Sequence, residues 1–313
     1  MATTPTWTPV IAIAIVAIIA GAGLGGFLYY RSLPGSTATP LVVQLGDNVT
    51  VNYIGVMGTG AEAGKVFDTS IYSVATNSIG YPKTLEFGLR GSAANYTPLA
   101  VHVSGNTPQN GYTLGNLSFI QVVTGFWQGL IGLPGNQSRA IVVPPSLGYG
   151  SIRSSCLSTQ PLSYTLPVVE TLTLTQFGAR FSGVTASIGA EFADPYFGWP
   201  VLILNTNSSF TTIENLAQVG MVAHPTGWPV LVTSVESTTN GTGAITLLNE
   251  LSPAQAGLVL GHAVGGQGLC SSPNGEFIVS SVNTANGTYT ENYNTEVTGE
   301  TLIFTVTVVN IFP

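Results

Sequence analysis

Charged side chains are what this sequence has least of. Asp, Glu, Lys and Arg make up 7% of its 313 residues, against roughly a quarter in ordinary soluble domains. Lysine occurs only at Lys65 and Lys83. With no basic run or patch, the chain has no electrostatic footprint for nucleic acid, which is not expected as a partner. So few titrating groups also imply a shallow pH dependence of stability. Cysteine is equally sparse, with Cys156 and Cys270 alone. The three histidines, His102, His224 and His262, stand far apart without ligand spacing, so no metal site is expected. Glu191, Asp194 and Glu250 have no paired carboxylate motif and read as surface or turn residues. A Gly-x-Ser-x-Gly elbow, a phosphate-binding loop and a dinucleotide fingerprint are all missing, so no cofactor is expected.

Small uncharged residues take the place of charge. Seven Asn-x-Ser/Thr tripeptides start at Asn48, Asn95, Asn116, Asn136, Asn207, Asn240 and Asn286. Such triplets also arise by chance in Asn/Thr-rich chains, but together with the two cysteines they fit an extracytoplasmic glycoprotein. After a tail at 1–9, residues 10–30 form an uncharged stretch long enough to cross a bilayer as a helix. Trp7 at one end and Phe27, Tyr29 and Tyr30 at the other suit interfacial belts. The competing reading is a cleaved signal peptide, but the basic n-region is missing and the apolar run is long. A single-pass anchor with the bulk of the chain outside is the expectation, although Arg31 favours the opposite orientation. Residues 31–40 read as a Pro/Gly/Ser/Thr linker.

From Leu41 the pattern turns to strands. Val49, Val51 and Tyr53 alternate along one face, Gly58 to Gly64 reads as a turn, and Val66-Phe67-Asp68 and Thr84-Leu-Glu-Phe87 each read as strands. Residues 89–118 form a long, elaborated loop. Phe126, Leu130 and Leu133 then recur at helical spacing, with Gly135 placed to stop the helix. Arg139-Ala-Ile-Val-Val follows as a β-branched strand ended by Pro144-Pro145, and Tyr149 stands between two glycines. Further on, Gly198-Trp199-Pro200-Val201-Leu202 is echoed by Gly227-Trp228-Pro229-Val230-Leu231. Each tryptophan reads as core in preference to an exposed contact, and the echo implies a duplicated or enlarged module, although two echoes fall short of a repeat array.

The stretch Val122–Gly150, VVTGFWQGLIGLPGNQSRAIVVPPSLGYG, resembles the signature of FKBP-type peptidyl-prolyl isomerases. Val49-Thr-Val-Asn-Tyr53-Ile-Gly55 followed by Val66-Phe67-Asp68-Thr-Ser70 resembles that family's first strands, and Thr301–Ile311 its last. The segment after Gly150 resembles the SlyD group, which carries an insert-in-flap domain at this point. Asn294-Thr-Glu-Val297-Thr-Gly299-Glu-Thr-Leu302-Ile-Phe304-Thr-Val306 is similar to that group's return motif. The Cys/His-rich tail of SlyD is missing.

The resemblance implies an α+β fold. An antiparallel sheet would wrap around one short helix, split between 41–155 and 271–313. A β-rich, chaperone-like insert would fill 156–270, behind the N-terminal transmembrane helix. It also implies a pocket. Tyr53, Phe67, Phe126 and Phe304 would wall it, Val122 and Val123 would complete it, Asp68 would orient the neighbouring tyrosine, and Tyr149 would offer its hydroxyl to the substrate carbonyl. Phe126 stands where many members carry tryptophan, and Leu85 where an aromatic often stands. The implied function is isomerisation of Xaa-Pro bonds in unfolded or proline-containing extracytoplasmic clients held by the insert. The alternatives are a client-binding chaperone with an inactive pocket and a structural surface glycoprotein. An insert must bring its two stems together, so Cys156 and Cys270 are expected to bridge at its neck.

Overall fold

The computed structural model describes residues 40–104, 113–236, 242–264, 268–272 and 275–313. They divide into two compact units, one containing residues up to Ile152 and Glu296–Pro313, the other Arg153–Thr295. The expected α+β class does not hold. The described residues are mostly strands in several antiparallel sheets, with three short α-helices. None of these helices is long and apolar enough to cross a membrane. The tail, the anchor expected at 10–30 and all of the linker but Pro40 lie outside the described residues. The balance toward strand follows from alternating β-branched residues, which pack well on a pleated surface and lose rotamer freedom in helices.

In the first unit, β1 (Asn48–Met57) and β19 (Leu302–Phe312) pair antiparallel along their length. β6 (Ser138–Val143) pairs with the far edge of β19. The other edge of β1 is shared. β3 (Leu99–His102) pairs with its first half and β2 (Val66–Thr69) with its second. Tyr53 stands where these partners change over, held by the Ser70 hydroxyl, which accepts from its backbone N–H at 2.9 Å. A two-residue ribbon, β4 (Thr113–Leu114) and β5 (Leu117–Ser118), lies in the expected 89–118 loop.

Helix α1 (Tyr72–Thr76) follows β2, and α2 (Thr124–Leu130) packs on β6. Gly125 and Gly129 face β6 from successive turns. A methyl group at Gly125 would meet Val143 Cγ1 at 2.7 Å, so only glycine lets the helix lie this close. The helix ends at Leu130 and the chain turns at Gly132, whose φ is +77°, three residues before the expected stop.

The strand expected at Thr84–Phe87 is instead a turn. The Glu62 carboxylate accepts from the Leu85 N–H at 3.1 Å, and Glu296 accepts from the Glu86 N–H at 3.0 Å. Side-chain acceptors thus satisfy the donors that a strand neighbour would have taken.

The second unit contains three four-stranded antiparallel sheets. One segment supplies an edge strand to each: β7 (Leu157–Pro161), β8 (Ser163–Leu166) and β9 (Val169–Thr173). Helix α3 (Leu174–Arg180) follows, with a Thr173–Gln176 capping box. Three meanders then complete the sheets. β10 (Glu191–Ala193), β11 (Pro200–Thr206) and β12 (Phe210–Asn215) join β9. β13 (Val222–Ala223), β14 (Val230–Glu236) and β15 (Ala244–Asn249) join β8. β16 (Leu260–His262), β17 (Glu276–Asn283) and β18 (Thr288–Asn292) join β7.

The three sheets are copies of one pattern. The pairing shifts after Ile203 in β11, after Val232 in β14 and after Val279 in β17. Opposite these stand Ile213, Leu247 and Glu291. They in turn pair with Glu170, Tyr164 and Ser158, spaced six residues apart along the edge-strand segment. The backbone N–H groups of Asn215, Asn249 and Tyr293 donate to the carbonyls of Val168, Leu162 and Cys156, again spaced by six. The Trp-Pro echo belongs to the first two copies. Trp199 and Trp228 are both buried, and their indole N–H groups donate to Asn215 Oδ1 at 3.1 Å and Asn249 Oδ1 at 2.8 Å. Cys156 and Cys270 form a disulfide within this unit, with Cα atoms 5.6 Å apart.

Candidate active site in the first unit

Period-two alternation on β1 and β19 sends Tyr53 and Phe304 to the same face, above α2. Their rings, with those of Phe126 from α2 and Phe67 from β2, meet edge to face. Phe126 and Phe304 lie 4.9 Å apart between centroids, Phe67 and Phe304 5.5 Å, and Tyr53 and Phe126 6.1 Å. Gly55 makes room for this cluster, since a methyl group there would fall 2.7 Å from Phe67 Cζ.

These four rings, with Val122, Val123, Asp68 and Tyr149, line a pocket of about 410 Å³. Every pocket residue expected from the sequence is therefore brought together. Leu85 and Trp127 are not among its lining. Four lining residues escaped the sequence reading, namely Arg90, Leu99, Ile120 and Gln121. The scarcity of cations could have singled out Arg90, one of seven basic residues.

The polar edge is tightly connected. The Tyr53 hydroxyl donates to Asp68 Oδ2 at 2.5 Å. Arg90 Nη2 donates to Asp68 Oδ1 at 2.5 Å and to the Tyr53 hydroxyl oxygen at 2.9 Å. Arg90 is itself placed by the 89–118 loop. The Tyr96 hydroxyl accepts from its backbone N–H, and the guanidinium lies over the Tyr96 ring at 5.7 Å. Burial, then the Asp68 charge, raises the pKa of Tyr53, so this phenol stays a donor. The same two causes, in the same order, raise Tyr149, which is half exposed at the rim and stays protonated at neutral pH.

Chemically, the pocket is an apolar cup with one rim hydroxyl. Its carboxylate is already engaged by a cation and a phenol. Among the described residues, no three His, Cys, Asp or Glu side chains are grouped to hold a metal ion. No family model and no curated protein matches the chain.

Proposed function

We propose that this pocket binds a proline-containing stretch of polypeptide and catalyses rotation about the Xaa-Pro bond, as FKBP-type isomerases do. The observation that carries the reading is the convergence of Tyr53, Phe67, Phe126 and Phe304 around a cavity with Tyr149 at its rim. Rotation about the peptide bond has a barrier of roughly 18–20 kcal/mol. Its transition state is a twisted amide that has lost conjugation, and it needs no proton transfer or nucleophile. A water-poor aromatic cup favours that state by holding the proline ring. A hydroxyl donor favours it when it fits the twisted carbonyl better than the planar one. The clients proposed are unfolded or proline-containing proteins outside the cytoplasm, in keeping with the sequons and the cystine.

A proline-peptide turnover assay on the full chain tests this. Phe67→Ala opens one wall of the cup and should lower kcat/KM by at least about tenfold. Tyr149→Phe removes one transition-state hydrogen bond, worth about 1 kcal/mol and up to about tenfold in rate. Tyr149 is exposed enough that its variant should leave the melting temperature unchanged. Unchanged turnover in both folded variants would show that the pocket is not the site. Binding of proline peptides without turnover by the wild type would leave only the client-holding reading.

A further inference from the structure

The second unit contains a cavity of about 600 Å³, within the ordinary range for ligand sites. It sits where the threefold pattern of sheets is broken. In the first two copies, the positions facing the core are Ile213 and Leu247, both fully buried and aliphatic. The third copy places Glu291 there, 8% exposed. Two residues earlier, where the copies carry Thr211 and Ile245, the third has Tyr289. Where they carry Asn215 and Asn249, it has Tyr293. Opposite Tyr289, in place of Leu172 and Leu166, stands Gln160. A copy optimised only for packing would keep the aliphatic residues, because burying a carboxylate costs several kcal/mol unless it gains partners.

The donors nearest Glu291 are committed. The Tyr289 hydroxyl donates to Glu291 Oε1 at 3.2 Å and the Tyr293 hydroxyl to Glu291 Oε2 at 3.0 Å. Gln160 Nε2 donates to Ser158 Oγ at 2.9 Å and to Glu291 Oε2 at 3.3 Å. Asn249 Nδ2 donates to the carbonyls of Pro161 and Leu162. Arg180, the one cation in the lining, is held by Glu170 at 2.6 Å and Asp194 at 2.6 Å. Glu170 and Asp194 are not in the lining, where Glu291 is the one carboxylate and has no cation of its own. Thr226 Oγ1, also in the lining, is buried and has no hydrogen-bond partner among the described residues. With Arg180 engaged by Glu170 and Asp194, what remains to greet a guest is the Glu291 carboxylate, which takes only neutral donors, the Thr226 hydroxyl and the rings of Tyr164, Tyr196, Phe197, Tyr289 and Tyr293.

We infer that this cavity is a binding site for an organic cation, a guanidinium or alkylammonium group, held by Glu291, Thr226 Oγ1 and the aromatic faces. Such a group brings the charged donor that Glu291 lacks, and aromatic faces attract cations most strongly where water is displaced. A free amine or guanidine and an arginine or lysine side chain of a polypeptide offer the same chemistry. The inference does not rest on the isomerase reading.

Calorimetric titration of the full chain tests it with arginine amide, its uncharged isostere citrulline amide, both N-acetylated so that the arginine side chain is the one cation compared, and a capped Ala-Ala-Arg-Ala-Ala peptide. Arginine amide should bind at least about tenfold more tightly than citrulline amide, the scale of one charge-assisted hydrogen bond. Glu291→Gln should abolish most of that preference at unchanged fold, judged by circular dichroism. If Glu291→Gln does not fold, Thr226→Val, which removes only the unpartnered hydroxyl, should still weaken arginine amide several-fold. Tighter binding of the peptide than of arginine amide identifies a polypeptide side chain as the source, and exclusion of the peptide identifies a free cation. Equal affinity for arginine amide and citrulline amide would overturn the inference, as would no binding of arginine amide at millimolar concentration. So would binding of glucose in the absence of arginine amide binding.

Discussion

The two units build their cavities by opposite routes. In the first, residues far apart in sequence are gathered once, by a sheet whose central strand changes partners at Tyr53 and by a helix seated on glycines. In the second, a threefold pattern supplies the scaffold, and the cavity forms where the third copy abandons the apolar residues of the other two. The carboxylates differ accordingly. Asp68 meets Arg90 and is half exposed at the pocket edge. Glu291 is buried and takes only neutral donors. A carboxylate neutralised by a guanidinium suits a pocket for uncharged amides. One left without a cation suits a pocket for a charged guest.

The contrast extends to stability, and the largest effect expected is on the disulfide. It closes a loop across a sequence separation of 114 residues wholly within the second unit. The chain-entropy model assigns about 4–5 kcal/mol to a loop of that size. Cys156 also accepts from the Tyr293 N–H in the third sheet. The double variant Cys156→Ser/Cys270→Ser should therefore lower the unfolding transition of the second unit and leave that of the first in place. Calorimetric scanning checks this, and equal shifts of both transitions would erase the distinction.

A smaller effect, about 2–3 kcal/mol each, is expected for Asn215→Ala and Asn249→Ala. Both strand a buried indole N–H and release carbonyls of the edge-strand segment. If the first two copies are equivalent, the two variants should cost nearly the same. Adding Trp199→Phe or Trp228→Phe to its partner variant should cost less than the sum, since the stranded donor is then gone. Unequal costs in denaturant titrations would break the equivalence, and strict additivity would show that no indole donor is stranded.

These residues also show what the sequence could reveal. The strand Asn48–Met57 and the helix beginning at Thr124 were legible because alternation and helical spacing are local, whereas Leu302–Phe312 was legible through the resemblance at Thr301–Ile311. The pocket aromatics were legible as an ordered set carried by the resemblance. Arg90 was not, because it reaches Tyr53 and Asp68 from an irregular loop with no periodicity of its own. Thr84–Phe87 misled because β-like residues say nothing of the distant carboxylates that cap their N–H groups. The copies in the second unit were half legible. The Gly-Trp-Pro echo marks two of them, while the third shares only bulge position and backbone pairing, which require no particular side chain. The α+β expectation fails because it rested on the one helix of the Val122–Gly150 stretch, and the strands of both units far outweigh that helix.

The smallest effect expected returns to charge poverty and sets the units apart by pH. Glu296 lies in the first unit, where its carboxylate accepts from the Thr84 hydroxyl at 2.6 Å and from the Glu86 N–H. Burial, reinforced by the charges of Glu86 and Glu62 and opposed by those two hydrogen bonds, lifts its pKa from 4.5 to about 7. An acid whose folded pKa is raised binds its proton more tightly when folded. Its stabilising contribution is therefore complete below about pH 4.5 and is lost as pH rises toward 7. A shift of this size corresponds to about 3 kcal/mol at full burial, and partial exposure of Glu296 reduces that to about 1–2 kcal/mol. Stability of the first unit should thus decline between pH 4.5 and 7, a decline carried by a residue that the second unit does not contain. Glu296→Gln keeps one acceptor and cannot ionise, so it should remove the decline and raise the urea midpoint at pH 8. The same slope in wild type and Glu296→Gln would show that this carboxyl does not govern the pH response.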